Sequence, residues 1–223
     1  DGPVDRPAGL ELGNPHISEP IRYKRDCLPY NQLAGLTSVI ASSSDEKGRA
    51  MQTIGLLGGM SWESSAVYYK LINEGVRARL GGLHSAKVVL WSAEFQDVAA
   101  KQAAGDWAAL LQIMLDGARS LERAGADMLV ICTNTMHKLA DEVAAAISIP
   151  IIHIADIAAA AIKRTPSRRP LLLATRFTME EPFYRGRMLE RHGLDLIRPE
   201  PGEEREVHDI IYRELCQGVV EPA

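Results

Sequence analysis

From position 51 onward, short apolar runs alternate with stretches whose apolar residues recur at helical spacing. Thr53 to Leu57 reads as an apolar strand running into Gly58-Gly59. Behind it, Ser61 is a plausible N-cap, and Val67, Tyr68, Leu71, Ile72 and Val76 mark one face of a helix that Gly81-Gly82 stops. Val88 to Trp91 predicts the next strand, followed by helices over Glu94 to Ala103 and Trp107 to Ala124. Asp127 to Cys132 predicts a buried strand with a helix directly after it, and Pro150 to Ile154 is another strand with an alanine-rich helix to Ile162. A link over Arg164 to Arg169 leads to a strand at Leu171 to Ala174 and a helix from Met179 to His192. A short strand near Leu194 to Ile197 and a last helix over Val207 to Cys216 complete the pattern. Strands alternating with helices predict parallel sheets with helical crossovers, in which ligands bind beyond the carboxyl ends of the strands.

The first fifty residues break this pattern. They hold five of the 12 prolines, lack sustained periodicity and end in Ser42-Ser43-Ser44-Asp45-Glu46-Lys47. Such a stretch buries too little apolar surface to offset the entropy of ordering it, so residues 1–50 are expected to be a disordered extension. Whole-chain numbers add limits. The 223 residues are 46% hydrophobic and 24% charged, with a formal charge of −4, which suits a soluble globular protein and gives no reason to expect nucleic acid as a partner. The most apolar stretch, Ile147 to Ile162, carries Ser148, His153 and Asp156, which argues against a membrane span. The run from Arg22 through Ala41 mimics a secretory signal, but Gly35, Thr37 and Ser38 break its apolar centre. Three cysteines, an odd number, fit reduced thiols, and the expected compartment is cytoplasmic.

Candidate chemistry lies just after the strands. Cys132 ends the Asp127–Cys132 run, and Thr133-Asn134-Thr135 leads into the next helix. A thiol there is expected to feel the unpaired N–H groups of a helix start, which favours thiolate, and the same groups suit a carboxylate. Gly58-Gly59-Met60-Ser61 is not a dinucleotide fingerprint, but it predicts a glycine turn presenting backbone amides to a small anion. Thr175 and Thr178 form a third such position, where Thr178 is alternatively a simple helix cap. His137 reads as a surface or packing histidine, Asp156 as the N-cap of its helix, and Glu180, Glu181, Arg185 and Arg187 as a solvated helix face. No zinc-ligand spacing, P-loop or nucleophile elbow is present in the sequence, so no metal is expected.

The segments IGLLGGMSWESS, GGLHSAKVVL, CTNTMHK, PIIHIAD and TRFTMEEPFYRGR, in that order, resemble the aspartate/glutamate racemase family, and within it the broad-specificity amino-acid racemase branch. The resemblance runs from Met51 to the end of the sequence. It implies an α/β protein of two similar lobes, each a parallel sheet flanked by helices, here residues 51–154 and an incomplete 155–223. It further implies a homodimer and a small amino-acid substrate, with no cofactor. One thiolate would take the Cα proton while an opposite thiol delivers another. By motif, Cys132 is the first-lobe acid/base. Thr133, Asn134 and Thr135 bind the substrate carboxylate with Gly59, Met60 and Ser61, and Thr175 and Thr178 contribute from the second lobe.

Two departures qualify that expectation. Ala174 stands where the family usually has glycine. The family's second-lobe cysteine lies in a Gly-Cys-Thr-Glu motif, and the sequence ends at Ala223 before reaching one, whereas Cys216 reads as a packing residue. The expectation is therefore a C-terminally truncated copy with impaired two-base racemisation. The alternatives are a one-thiol decarboxylase or isomerase of the same superfamily and an inactive small-carboxylate-binding fragment. The substrate amino acid is not legible in the sequence.

Overall fold

The computed structural model describes residues 51–167 and 169–220, so the expectations for residues 1–50 lie outside the described residues. Four strands form one all-parallel sheet: β1 (Thr53–Gly58), β2 (Lys87–Ser92), β3 (Met128–Ile131) and β4 (Ile151–Ile152), in the order β2-β1-β3-β4. The helices between them are α1 (Trp62–Leu80), α2 (Phe95–Ala104), α3 (Trp107–Arg123), a 3-10 turn at Thr135–Leu139 and α4 (Ala140–Ala145).

Side-chain alternation along the strands divides the core in two. On one face Leu57, Leu129 and Ile131 pack against Leu110, Met114, Ala118 and Leu121 of α3. On the other, Ile54, Leu56, Met128 and Val130 meet Ile72 and Val76 of α1. Cys132 continues the Met128–Val130 parity, so its thiol is directed to the α1 face. Gly117 allows the close approach of α3, since a Cβ there would strike Leu57 and the Trp91 ring.

Beyond β4 come α5 (Ile154–Ile162), α6 (Arg176–Glu180), α7 (Pro182–His192) and α8 (Pro201–Arg213), and then a 3-10 turn at Leu215–Gln217. Ile154, Ala155, Ala159, Tyr184, Met188, Leu194 and Leu196 form a third core cluster. The two strands expected at 171–174 and 194–197 are reduced to one isolated parallel bridge, Leu171 to Ile197. The helix expected over Met179 to His192 is two helices, broken at Glu181. Pro182 accounts for the break, because a residue before proline avoids the helical region and Glu181 is extended at φ −82, ψ 149.

Candidate active site

β1 lies between β2 and β3, with α1 covering one face of the sheet and α3 the other. The carboxyl ends of β1 and β3 therefore flank a crevice where the chain reverses its winding, the usual ligand position in an open parallel sheet. The residues emerging there are Gly58 to Ser61 and Cys132 to Thr135. The backbone holds them together: the Cys132 N–H donates to Leu57 O at 2.9 Å, and Ser64 Oγ donates to Cys132 O at 3.0 Å.

The glycine turn differs from its sequence reading. Gly59 adopts φ +85, and a Cβ there would land on the Ala93 backbone, so only glycine fits. Its N–H is not presented to a ligand, however; it donates to Ser65 Oγ at 2.9 Å, and that hydroxyl donates onward to Ser61 O at 3.1 Å. Met60 and Ser61 are buried. Ser61 occupies the N-cap position of α1 without a capping side-chain bond; its side chain hydrogen-bonds Cys216. Burial is the main influence on the Cys216 thiol and raises its pKa, with the Ser61 bond opposing and Glu63 adding to the rise.

Cys132 also departs from expectation. The thiol is fully buried, its nearest polar contact is Val130 O at 3.9 Å, and burial pushes its pKa well up. The element behind it is a five-residue 3-10 turn followed by a six-residue helix, too short to offset desolvation with an aligned dipole. The resting state is thus a neutral thiol. Tyr68, four residues after Ser64 on α1, stands close to it, and burial first, then Cys132 and Tyr184, raise the phenol's pKa.

Three of the threonines converge. Thr135 and Thr175 hydroxyls lie 2.8 Å apart, Thr175 and Thr178 3.3 Å, and Thr135 and Thr178 3.4 Å. Thr178 is fully buried and is not a cap; Thr175 occupies the N-cap position of α6. A triangle of hydroxyls, each able to donate or accept, joins the loop after β3 to the segment before α6. Thr133 and Asn134 are half-buried beside it, and Asn134 Oδ1 is buried without a hydrogen-bond partner.

Histidine and carboxylate partners complete the surroundings. His137 is buried, not on the surface: its Nδ1 contacts Thr133 O at 2.7 Å and its Nε2 accepts from Ile154 N at 3.2 Å. Its ring meets that of His153 edge-on at 4.5 Å. Burial lowers the His137 pKa to about 3 and that of His153 to about 4. His153, not Asp156, caps α5, accepting from Ala155 N at 3.2 Å. Asp156 instead receives a bidentate bond from Arg187 at 2.8 and 2.6 Å and contacts His192 Nε2 at 2.8 Å. Arg187 therefore belongs to a half-buried ion pair and not to a solvated face. Lys138 pairs with Glu181, tying the 3-10 turn to the start of α7.

Ser64, Ser65, Tyr68 and His137 were not singled out for these roles by sequence reasoning. Ser64 and Tyr68 share a helical face at i, i+4, the one local signal that both look toward the same strand end. Among the described residues no group of three His, Cys, Asp or Glu side chains could hold a metal ion, and no helix is long and apolar enough to cross a membrane.

Known proteins resemble this chain in sequence and in architecture. A broad-specificity amino-acid racemase, RacX, from Bacillus subtilis (strain 168) is 30% identical over 84 residues, 38% of this chain and 36% of the relative. That match spans about a third of the relative's length. A Yersinia pestis crystal structure assigned as an Asp/Glu racemase shares 49% identity, covering 77% of this chain and 74% of that one, with a TM-score of 0.69. An aspartate racemase homologue from Pyrococcus horikoshii OT3 shares 32% identity over 76% of this chain and 74% of its own, with a TM-score of 0.65. At 17% identity and a TM-score of 0.61, a Picrophilus torridus aspartate racemase, covered to 71% by 75% of this chain, supports the fold alone. The sequence profile of the Asp/Glu/Hydantoin racemase family matches residues 57–221, nearly the whole stretch that builds the sheet, the Cys132 loop and the threonine triangle, and the chain belongs to that family.

Proposed function

We propose that the protein transfers protons at the Cα of a small amino acid without a cofactor, as an amino-acid racemase, and that Cys132 is the group that works one face of that carbon. The observation that carries this reading is the convergence of Thr135, Thr175 and Thr178 beside the Cys132 loop. Three buried or half-buried hydroxyls in mutual contact satisfy one another when the site is empty. They can turn their hydrogens to an arriving carboxylate at little reorganisation cost.

In this reading Thr133, Asn134 and Thr135 hold the carboxylate with Thr175 and Thr178, while Gly59, Met60 and Ser61 wall the crevice. Asn134 Oδ1, an acceptor without a partner, suits the substrate's ammonium group. Loss of the Cα proton pushes negative charge onto the carboxylate oxygens, where the hydroxyl donors strengthen as charge develops. The Cys132 sulfur accepts that proton when it is a thiolate and returns one when it is a thiol. The substrate ammonium is the cation whose arrival offsets the desolvation that keeps the thiol neutral. Racemisation also requires a proton on the opposite face. Cys216, the other cysteine among the described residues, is engaged with Ser61. The two-base reaction is accordingly proposed to be impaired in this chain, with exchange at one face favoured over inversion. In the same reading the protein is cytoplasmic and works as a homodimer, and its two lobes divide near residue 154.

A second reading has one specific observation in its favour. Because burial keeps Cys132 protonated, the thiol suits delivery of a proton to one face only, as in a one-thiol decarboxylase or isomerase. Deuterium exchange at Cα of aspartate, glutamate and neutral amino acids in D2O separates the two. Exchange accompanied by inversion, even if slower than the exchange itself, and lost in Cys132→Ser, supports racemisation; exchange with wholly retained configuration supports the one-thiol reading. No exchange, unchanged by Cys132→Ser, would leave only a small-carboxylate binder.

A further inference from the structure

His137 is a buried titratable group that the proton transfer does not use, and its two ring contacts admit a single arrangement of hydrogens. The Ile154 N–H can only donate, so Nε2 must be bare. Thr133 O can only accept, so Nδ1 must carry the hydrogen, and it does so at 2.7 Å. The ring is thus the neutral Nδ1–H tautomer, spanning from the loop after β3 to the first residue of α5. An imidazolium would set an N–H against the N–H of Ile154 and break the bridge.

The consequence lies on the other side of the peptide. In a planar trans peptide the C=O of one residue and the N–H of the next point in opposite directions. Holding Thr133 O against the buried imidazole turns the Asn134 N–H away from it. We propose that His137 is a positioning residue that orients the Thr133–Asn134 peptide, so that the Asn134 N–H is held toward the substrate carboxylate beside Cys132. This rests on the carboxylate anchor of the proposed function. Without the bond to His137 the Thr133–Asn134 peptide loses the contact that fixes its tilt, and a displacement of about 1 Å at such a donor costs on the order of 100-fold in rate.

Two conservative variants split the bridge. His137→Asn keeps an N–H where Nδ1 stands and loses the acceptor, whereas His137→Gln keeps an acceptor near Nε2 and loses the donor. His137→Phe keeps neither. The proposal expects His137→Phe and His137→Gln to lower kcat for Cα exchange by roughly 10- to 100-fold, with KM changing less, because charge on the carboxylate grows in the transition state. His137→Asn should retain most of the activity. Losses that follow Tm equally in the Asn and Gln variants, or a Gln variant more active than the Asn variant, would overturn it.

Two measurements on the full chain stand apart from turnover. Ring-nitrogen NMR of wild-type protein at pH 7.5 should show His137 as the Nδ1–H tautomer; an Nε2–H tautomer overturns the proposal. Alkylation of Cys132 by iodoacetate relative to iodoacetamide, read by mass spectrometry on the Cys132 peptide, reports the carboxylate anchor directly. The proposal expects that ratio to fall at least several-fold in His137→Gln and to stay near wild type in His137→Asn; an unchanged ratio in His137→Gln overturns it. Should wild-type protein exchange no Cα proton, the functional reading fails, while the tautomer and the alkylation ratio still decide the role of His137.

Discussion

Acid should weaken this fold well before its carboxylates titrate, and the two facing imidazoles set the size of the effect. His137 and His153 are 3% and 8% exposed, with rings 4.5 Å apart, so each is held neutral. Their pKa values fall to about 3 and about 4, from an unfolded value near 6.5. The sign follows from proton counting. Below pH 6.5 the unfolded chain binds protons that the folded chain refuses, so stability is full above about pH 7 and declines as pH falls toward 4. Each pH unit in that window costs about 1.4 kcal/mol per histidine. At pH 5, one and a half units below the unfolded value, the pair removes about 4 kcal/mol, a large share of the roughly 5–15 kcal/mol a domain possesses. Equilibrium urea denaturation at pH 7.5 and pH 5.0 measures this as a lower midpoint with an unchanged slope. His153→Gln should flatten the pH dependence by about half. A midpoint that does not move between pH 7.5 and 5.0 would show that both rings accept a proton in the folded state, and the assignment of a neutral bridging pair would be wrong.

The remaining substitutions test the site and the turn beneath it. Thr178→Val replaces a fully buried hydroxyl by a methyl of similar shape, and should raise KM for the amino acid about tenfold, corresponding to about 1.4 kcal/mol, with a change in Tm of only a few degrees. Steady-state exchange kinetics check it; an unchanged KM would remove Thr178 from the carboxylate anchor. Gly59→Ala forces a Cβ at φ +85 onto the Ala93 backbone and should cost more than about 2 kcal/mol by denaturant melts. A loss of a few tenths would mean the turn relaxes freely.

Much of the fold was legible along the chain. The strands expected at Thr53, Val88, Asp127 and Pro150 lie within two residues of their observed bounds, whereas the helix expected directly after Cys132 is a 3-10 turn followed by a short helix. Their parallel order explains why the residues following β1 and β3 share a crevice. Cys132, Thr133, Asn134 and Thr135 were placed there by pattern alone. Thr175 and Thr178 were placed after a strand that is only an isolated bridge, yet they reach the same cluster. The spacing from Met179 to His192 predicts one helix, but Pro182 forces Glu181 out of the helical region and divides it in two.

Periodicity is a local property, carried by residues three, four or two positions apart, and it determined the strands, the helices and the positions after them. Charge state and hydrogen-bond partnership are set by what the fold brings near, and only the tertiary structure decided them. Cys132 sits where a thiolate was expected, but the α1 face of the core closes over it and desolvation outweighs a turn too short to supply a dipole. Gly59 sits where an anion-binding amide was expected, but Ser65 takes its N–H. Arg187 looked solvated until Asp156, 31 residues earlier, was found to receive it. His137 became a bridge because α5 begins against it. The hydroxyls of Thr135 and Thr175, 40 residues apart, meet at 2.8 Å because the packing of α5 and α7 returns the chain to the crevice, a contact that no local pattern encodes.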